Sequence, residues 1–213
     1  MKTNLKLTIA VALSSFICMN ANAQVRSWTH NGSLSFNQTT GCGICDGELW
    51  SQAGEAHLDY DILGDANPLN AAYVDLAANN SCLSSTDCYY TKGLIVNDFQ
   101  YSFPTNVTIT ITGIEVKIFA RAVNKNAIKD LQVQLVLNDA PIGTDRSSTA
   151  YWSKTYSGRT YGSSTDTWGT ALTPAIISDP GFGVIFKVQN MTASTKRFIA
   201  DWVYVVIYYT VSN

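Results

Sequence analysis

Apolar and polar residues alternate with a period of two along much of the chain after residue 24. In the clearest stretch, Val107, Ile109 and Ile111 alternate with threonines, and from Ile114 to Ala122 apolar residues again occupy every second position. Successive side chains of a β-strand point to opposite faces of the sheet, so this pattern predicts strands with one buried face.

The phase of this alternation changes at one point. The apolar positions carry odd numbers up to Ile111 and even numbers from Ile114, and Gly113 lies at the break. A slip of one residue turns the whole apolar set to the other face of a sheet. The sequence therefore predicts either a β-bulge at Gly113 or a bend that carries the strand from one sheet to another.

Similar patterns predict further strands along the chain. They cover residues 34–37, 56–63, 73–77, 94–103, 131–137, 182–188 and 202–211, and a turn is predicted at residues 138–141. Roughly nine short strands separated by turn-rich segments predict an all-β protein, an antiparallel β-sandwich of jelly-roll type. The last strand is apolar or aromatic on both faces except at Thr210, so it is either buried on both sides or an open edge that awaits a partner.

The first 23 residues have the features of a secretory signal peptide. Lys2 and Lys6 are basic, residues 7–19 are mostly apolar, and Ala21 and Ala23 are small residues at the cleavage-reading positions. No other segment reaches roughly 18 consecutive apolar residues, so no membrane span is predicted after cleavage. The expected location is secreted, either extracellular or at a bacterial cell surface.

Composition narrows the possible functions. Charged residues make up 14% of the chain, hydrophobic residues 46%, and the formal net charge is −2. This balance excludes a disordered chain, and the lack of a basic field argues against nucleic-acid binding. Residues 24–65 are predicted to form an acidic, cysteine-containing N-terminal extension packed on a sandwich of residues 66–213. A small separate module is the alternative for this extension.

Acidic residues of the extension form the candidate metal site. Asp59 and Asp61 would project from the same side of a strand, and Asp65 follows in a turn. Oxygen ligands at this density suit Ca²⁺, and no other cofactor is predicted. The alternative is a solvated acidic face that keeps the protein soluble. A hydrolase site with His57 facing these acids is a further alternative.

The predicted mature chain contains four cysteines. They are Cys42, Cys45, Cys82 and Cys88. An even number of cysteines in an exported protein predicts two disulfides, and three pairings are open. Zinc binding and redox catalysis are alternatives, but the spacing suits neither a pair of zinc knuckles nor a thioredoxin-like motif.

Aromatic residues between positions 152 and 168 form the candidate ligand site. Trp152, Tyr156, Tyr161 and Trp168 lie among Ser, Thr and Gly, and exposed rings in such a segment can stack on sugars. The alternative is that Trp152 and Tyr156 belong to the core, while Tyr161 and Trp168 anchor a long loop and Asp166 accepts backbone N–H bonds.

Several motifs together resemble a known β-sandwich module. They are residues 99–104 (FQYSFP), 111–116 (ITGIEV), 161–169 (YGSSTDTWG), 182–184 (FGV), and Asp201 leading into residues 205–209 (VVIYY). Over about residues 70–209 their order and spacing resemble a module of phage virion proteins and of secreted or surface proteins of bacteria, including Bacteroidetes-like ones. The resemblance implies a non-enzymatic structural or adhesive domain.

These observations lead to two main hypotheses for function. The first is a secreted structural or adhesive β-sandwich that contacts other surface proteins, or a copy of itself, through its C-terminal strand. The second is a carbohydrate-binding module, with calcium as an optional aid. A non-enzymatic role is expected because the chain has only two histidines and no Gly-x-Ser-x-Gly motif.

Overall fold

A computed structural model describes residues 23–27, 47–53, 71–79 and 88–212, which form two antiparallel β-sheets packed face to face. The strands are β1 (Ala23–Ser27), β2 (Ala72–Leu76), β3 (Leu94–Asn97), β4 (Thr108–Ala122), β5 (Ile128–Leu137), β6 (Ala140–Ile142), β7 (Ser157–Ser163), β8 (Phe182–Asn190) and β9 (Lys196–Ser212). One short helix, α1 (Pro174–Ile177), precedes β8. The predicted all-β class is confirmed.

The strand order is that of a jelly roll. The first sheet has the order β1-β9-β4-β7, with β2 also paired to β9, and the second sheet has the order β3-β8-β5-β6. From β2 onward the chain changes sheet at every connection except the β5–β6 hairpin, which turns at Asn138 and Asp139. Both turn residues have positive φ, as a two-residue type I′ turn requires.

A β-bulge at Gly113 keeps both halves of β4 on the same core. The register with β9 shifts between Ile111 and Gly113, so Ile111 and Ile114 are both buried in the core cluster. The bulge alternative is therefore confirmed, and β4 stays in one sheet. A second shift between Phe119 and Ala120 leaves Asp201 as the extra residue of β9.

Part of the predicted N-terminal extension belongs to the sandwich itself. Trp50 lies in the main core, 6.0 Å from the ring of Phe186 and 6.1 Å from that of Phe198, and its Nε1 donates to the Lys92 carbonyl at 2.9 Å. β1 adds to the first sheet beside β9. Residue 65 lies outside the described residues, so the boundary between the extension and the sandwich stays a prediction.

The C-terminal strand β9 is buried on its inner face, partly exposed on its outer face, and has neighbours on both sides. β4 pairs with it over most of its length, while β2 and β1 pair with its other side at residues 196–200 and 205–209. Of the two alternatives predicted for this strand, the open edge is therefore not found, whereas contact with other surface proteins or a second copy stays a prediction. On the inner face of β9, apolar side chains pack against the second sheet. On its outer face, the rings of Trp202 and Tyr204 stack on each other.

Several strand boundaries differ from the prediction. β3 ends at Asn97 rather than at residue 103, because Asp98 and Gln100 adopt positive φ and break the extended backbone. β7 was not predicted, since its Ser- and Gly-rich sequence carries no apolar alternation. The strands predicted at residues 34–37 and 56–63 lie outside the described residues.

Gly162 in β7 provides a sharp test of how closely the sandwich is packed. Its φ is +74°, and a Cβ there would overlap the Ile114 carbonyl and the Trp168 indole nitrogen, which are hydrogen-bonded at 3.0 Å. Gly162→Ala is expected to lower the free energy of unfolding by about 2–4 kcal/mol. Urea denaturation of the purified chain measures the change.

Gly158 on the same strand is the matched control. A Cβ at Gly158 meets only the flexible end of the Lys117 side chain, and its φ is not in the left-handed region. Gly158→Ala is expected to change the stability by less than about 0.5 kcal/mol. Equal losses in the two variants would contradict the packing described for Gly162.

Candidate binding site at the β4–β5 end of the sandwich

A buried carboxylate organises one end of the sandwich. Asp130 lies at a bulge of β5, and its side chain accepts hydrogen bonds from Trp152 Nε1 at 2.6 Å, Tyr161 Oη at 2.9 Å and the Ser148 backbone N–H at 2.9 Å. Arg159 Nη1 lies 3.1 Å from both carboxylate oxygens. The buried charge is thus paired and hydrogen-bonded, as burial requires.

Three of the four predicted sugar-stacking residues are buried. Trp152, Tyr161 and Trp168 are 2%, 4% and 0% exposed, so their rings face the core instead of solvent. Burial and the neighbouring Asp130 charge raise the pKa of Tyr161, so its hydroxyl stays protonated and donates. The predicted platform of these four rings is therefore wrong, because only Tyr156 is partly exposed.

Trp168 instead anchors the loop that follows β7. Its Nε1 donates to the Ile114 carbonyl at 3.0 Å, and its backbone N–H donates to Asp166 Oδ1 at 2.8 Å. Arg146 Nη2 pairs with the same Asp166 oxygen at 2.7 Å. The alternative prediction of a loop anchor is therefore confirmed for Trp168, with Asp166 accepting a backbone N–H, whereas Tyr161 lies in β7 and bonds to Asp130.

A shallow, widely open cleft lies beside the Asp130 cluster. It has a volume of about 320 Å³ and lies between the β4–β5 loop and residues 151–155. Its lining residues are Lys125, Asn126, Tyr151, Trp152, Ser153, Lys154 and Thr155. Tyr151 is 41% exposed, and the Lys129 ammonium lies 4.4 Å from the centre of its ring. We call this feature the β4–β5 loop cleft.

The wall of the β4–β5 loop cleft is held by backbone hydrogen bonds. The Trp152 N–H donates to the Ile128 carbonyl at 2.9 Å, and the Ala122 N–H donates to the Ser153 carbonyl at 2.9 Å. Trp152 is also fixed through Asp130. These bonds attach residues 151–153 to the adjoining ends of β4 and β5, so the cleft has a preorganised wall.

A row of stacked rings covers part of the outer face of the first sheet. Tyr156 stacks on Phe119 with centroids 5.6 Å apart, Phe119 on Trp202 at 5.2 Å, and Trp202 on Tyr204 at 5.0 Å. The Arg121 guanidinium lies 4.8 Å from the Tyr156 ring centre. Tyr156 thus belongs to this row and not to a group with the other three predicted residues.

Asp201 lies in the bulge of β9 beside this row. Burial raises the pKa of its carboxyl to about 6. Its negative charge also helps to raise the pKa of Tyr156, although burial of the tyrosine is the larger cause. The ionised Asp201 is therefore held in an unfavourable position at neutral pH.

The predicted calcium residues Asp59, Asp61 and Asp65 lie outside the described residues. Within the described part of the chain, no cluster of three or more His, Cys, Asp or Glu residues is placed to hold a metal ion. Cys88 is completely buried and disulfide-bonded. Cys42, Cys45 and Cys82 also lie outside the described residues, so the two-disulfide framework and its pairing stay predictions.

Comparison with known proteins yields no match. No family model, no curated protein and no solved structure matches the chain. The resemblance of its motifs to virion and surface proteins therefore stays a prediction. Over the described ranges, none of the helices has the length and apolar character needed to cross a membrane.

Sequence reasoning missed the residues that build the cleft. Tyr151, Lys125 and Lys154 follow no periodic pattern, so nothing singled them out. Asp130 did carry a signal, since Ile128 and Asp130 have even numbers whereas Val133 and Leu135, which face the main core after it, have odd numbers. Like the change at Gly113, this break marks a bulge, and it indicates that the Asp130 side chain points inward.

Replacing Asp130 tests whether its charge stabilises this end of the sandwich. Asp130→Asn leaves the Arg159 guanidinium without its carboxylate, and the side chain of Arg159 is only 18% exposed. A loss of about 1.5–3 kcal/mol is expected in urea denaturation. The exposed pair of Asp75 and Arg197 is the control, and Asp75→Asn should cost less than about 1 kcal/mol. Comparable losses would contradict a special role for Asp130.

Replacing Asp201 tests the pKa shift. Because the folded pKa is above the unfolded value, ionisation of Asp201 costs stability at neutral pH, and this cost disappears as the pH falls through about 6 towards the unfolded value. Asp201→Asn should stabilise the chain at pH 7.5 by about 1 kcal/mol, after allowance for its partial exposure, and should have little effect below the unfolded pKa. Denaturation curves across this range measure the change. Asp139→Asn, in the exposed β5–β6 turn, controls for removing a surface charge.

Proposed function

We propose that this chain is an exported, non-enzymatic adhesive β-sandwich that binds glycans in the β4–β5 loop cleft. The observation that carries the proposal is the cleft itself, with a volume of about 320 Å³ and an exposed Tyr151 at its rim. A sugar ring has an apolar face that suits an aromatic ring, and hydroxyls that need polar neighbours.

The polar lining of the cleft supports a saccharide ligand. Asn126 supplies an amide, and the Ser153 and Thr155 hydroxyls lie 2.9 Å apart in a local turn. Together these groups offer donors and acceptors to ligand hydroxyls. The wall that presents them is fixed by backbone bonds and by Asp130, which reduces the entropy lost on binding.

The polar groups buried beneath the cleft bond to one another, and this supports a role without catalysis. The most deeply buried carboxylate, Asp130, is neutralised by Arg159 and accepts hydrogen bonds from Trp152 and Tyr161. These groups therefore stabilise the fold. The motif resemblance to virion and surface proteins is in keeping with an adhesive role.

Export is supported by the predicted signal peptide, and the pairing of β1 is compatible with its removal. Cleavage after Ala23 would make Gln24 the new N-terminus, and Gln24 pairs with Tyr208 in the first sheet. The processed chain would therefore begin inside a strand. The disulfide-bonded state of Cys88 also suits an oxidising compartment.

A glycan array with the exported, processed protein tests this function. The wild type is expected to bind at least one class of saccharide, and Tyr151→Ala is expected to weaken that binding by about tenfold because it removes the exposed ring. Isothermal titration with the best array ligand measures the change. Thermal stability should be little affected, since Tyr151 lies at the surface.

Val211→Ala is the matched control for this experiment. Val211 is 44% exposed and lies near the C-terminal end of β9, away from the cleft. Its replacement should leave binding unchanged. An array with no saccharide bound, or binding that Tyr151→Ala does not weaken, would refute the proposal.

A further inference from the structure

We infer that the β4–β5 loop cleft selects acidic saccharides, whose carboxylate or sulfate groups are bound by Lys125 and Lys154. This inference rests on the proposed glycan-binding function and adds a ligand class to it. Both lysines line the cleft, and none of the seven lining residues is acidic. A third lysine, Lys129, lies over the Tyr151 ring at the same end of the sandwich.

The positive charge of these three lysines is not compensated within the described part of the chain. The ion pairs found there join Arg146 to Asp166, Arg159 to Asp130 and Arg197 to Asp75, so each pair contains an arginine. Asp130, which accepts a hydrogen bond from Trp152 of the cleft wall, is already paired with Arg159. Lys125, Lys129 and Lys154 therefore keep their charge available to a ligand.

Three acidic residues of the described chain lie far from the cleft. Asp98, Asp139 and Asp179 lie at the opposite end, next to the paired ends of β3, β5 and β8. These three carboxylates therefore do not oppose the attraction of an acidic ligand to the lysines that line the cleft. Such an arrangement raises the association rate with anions at low salt.

The size and lining of the cleft favour a saccharide over other polyanions. A volume of about 320 Å³ is at the small end of ligand pockets, which suits one or two sugar units of a chain. A single exposed aromatic ring with hydroxyl and amide neighbours matches a pyranose unit. Single-stranded nucleic acid instead requires a basic groove with successive stacking rings along the strand.

Titration calorimetry with matched ligands tests the inference. The probes are oligogalacturonate and the same oligosaccharide with its carboxylates methyl-esterified, followed by a sulfated chondroitin oligosaccharide. At least one acidic probe is expected to bind about tenfold more tightly than the neutral ester at low ionic strength. Raising the salt concentration should weaken acidic binding and leave any neutral binding unchanged.

A charge-matched pair of double variants locates the effect. Lys125→Gln/Lys154→Gln should weaken binding of the acidic probe by about tenfold, whereas Lys117→Gln/Lys196→Gln should change it less than about twofold. The second variant removes the same net charge from lysines that do not line the cleft. Equal losses in both would overturn the inference, since only the overall charge of the molecule would then matter.

The outcomes separate this inference from the proposed function. If the acidic probes and the neutral ester bind equally and Tyr151→Ala weakens both, glycan binding stands and the selection for acidic groups is wrong. If no saccharide binds, both are wrong. Inorganic polyphosphate and single-stranded DNA serve as further probes, and tight binding of either without saccharide binding would likewise overturn both.

Discussion

The end of the sandwich that carries the cleft depends on the hydrogen bonds and the ion pair of the buried Asp130 carboxylate. This carboxylate belongs to β5 of the second sheet, whereas Arg159 and Tyr161 belong to β7 of the first, so its hydrogen bonds join the two layers. It also fixes Trp152, which lines the cleft. A carboxylate can remain ionised in a core only when it is fully paired and hydrogen-bonded. The geometry of the cleft therefore follows from the requirement to satisfy one buried charge.

The sequence was most informative where a strand carries its own periodic pattern. The alternation from Val107 to Ala122 predicts β4, and the change of phase at Gly113 predicts its bulge, because both follow from side-chain direction along one strand. β7 could not be predicted in this way. Its Ser and Gly residues are tolerated because Arg159 and Tyr161 supply its inward contacts through polar groups, which a hydrophobic pattern does not reveal.

The candidate site was harder to predict because its contacts join distant parts of the chain. Trp152 and Trp168 look like exposed aromatics among polar residues, yet their indole N–H groups reach Asp130 and the Ile114 carbonyl, 22 and 54 positions away. A buried tryptophan needs such an acceptor, and nothing in its own segment shows where the acceptor lies. Lys125 and Lys154 likewise share the cleft only because the chain passes between the sheets and returns.

The structure divides charge between the interior and the rim of the cleft. Asp130 and Arg159 cancel one another beneath the wall, so the interior supplies shape and rigidity without a net charge. The lysines at the rim pair with no described carboxylate and supply net charge without being needed for the core. Shape and charge are consequently determined by different residues. A substitution of rim lysines is therefore expected to change the charge of the rim while Asp130 continues to hold the wall in place, and this independence is what the proposed selection among saccharides requires.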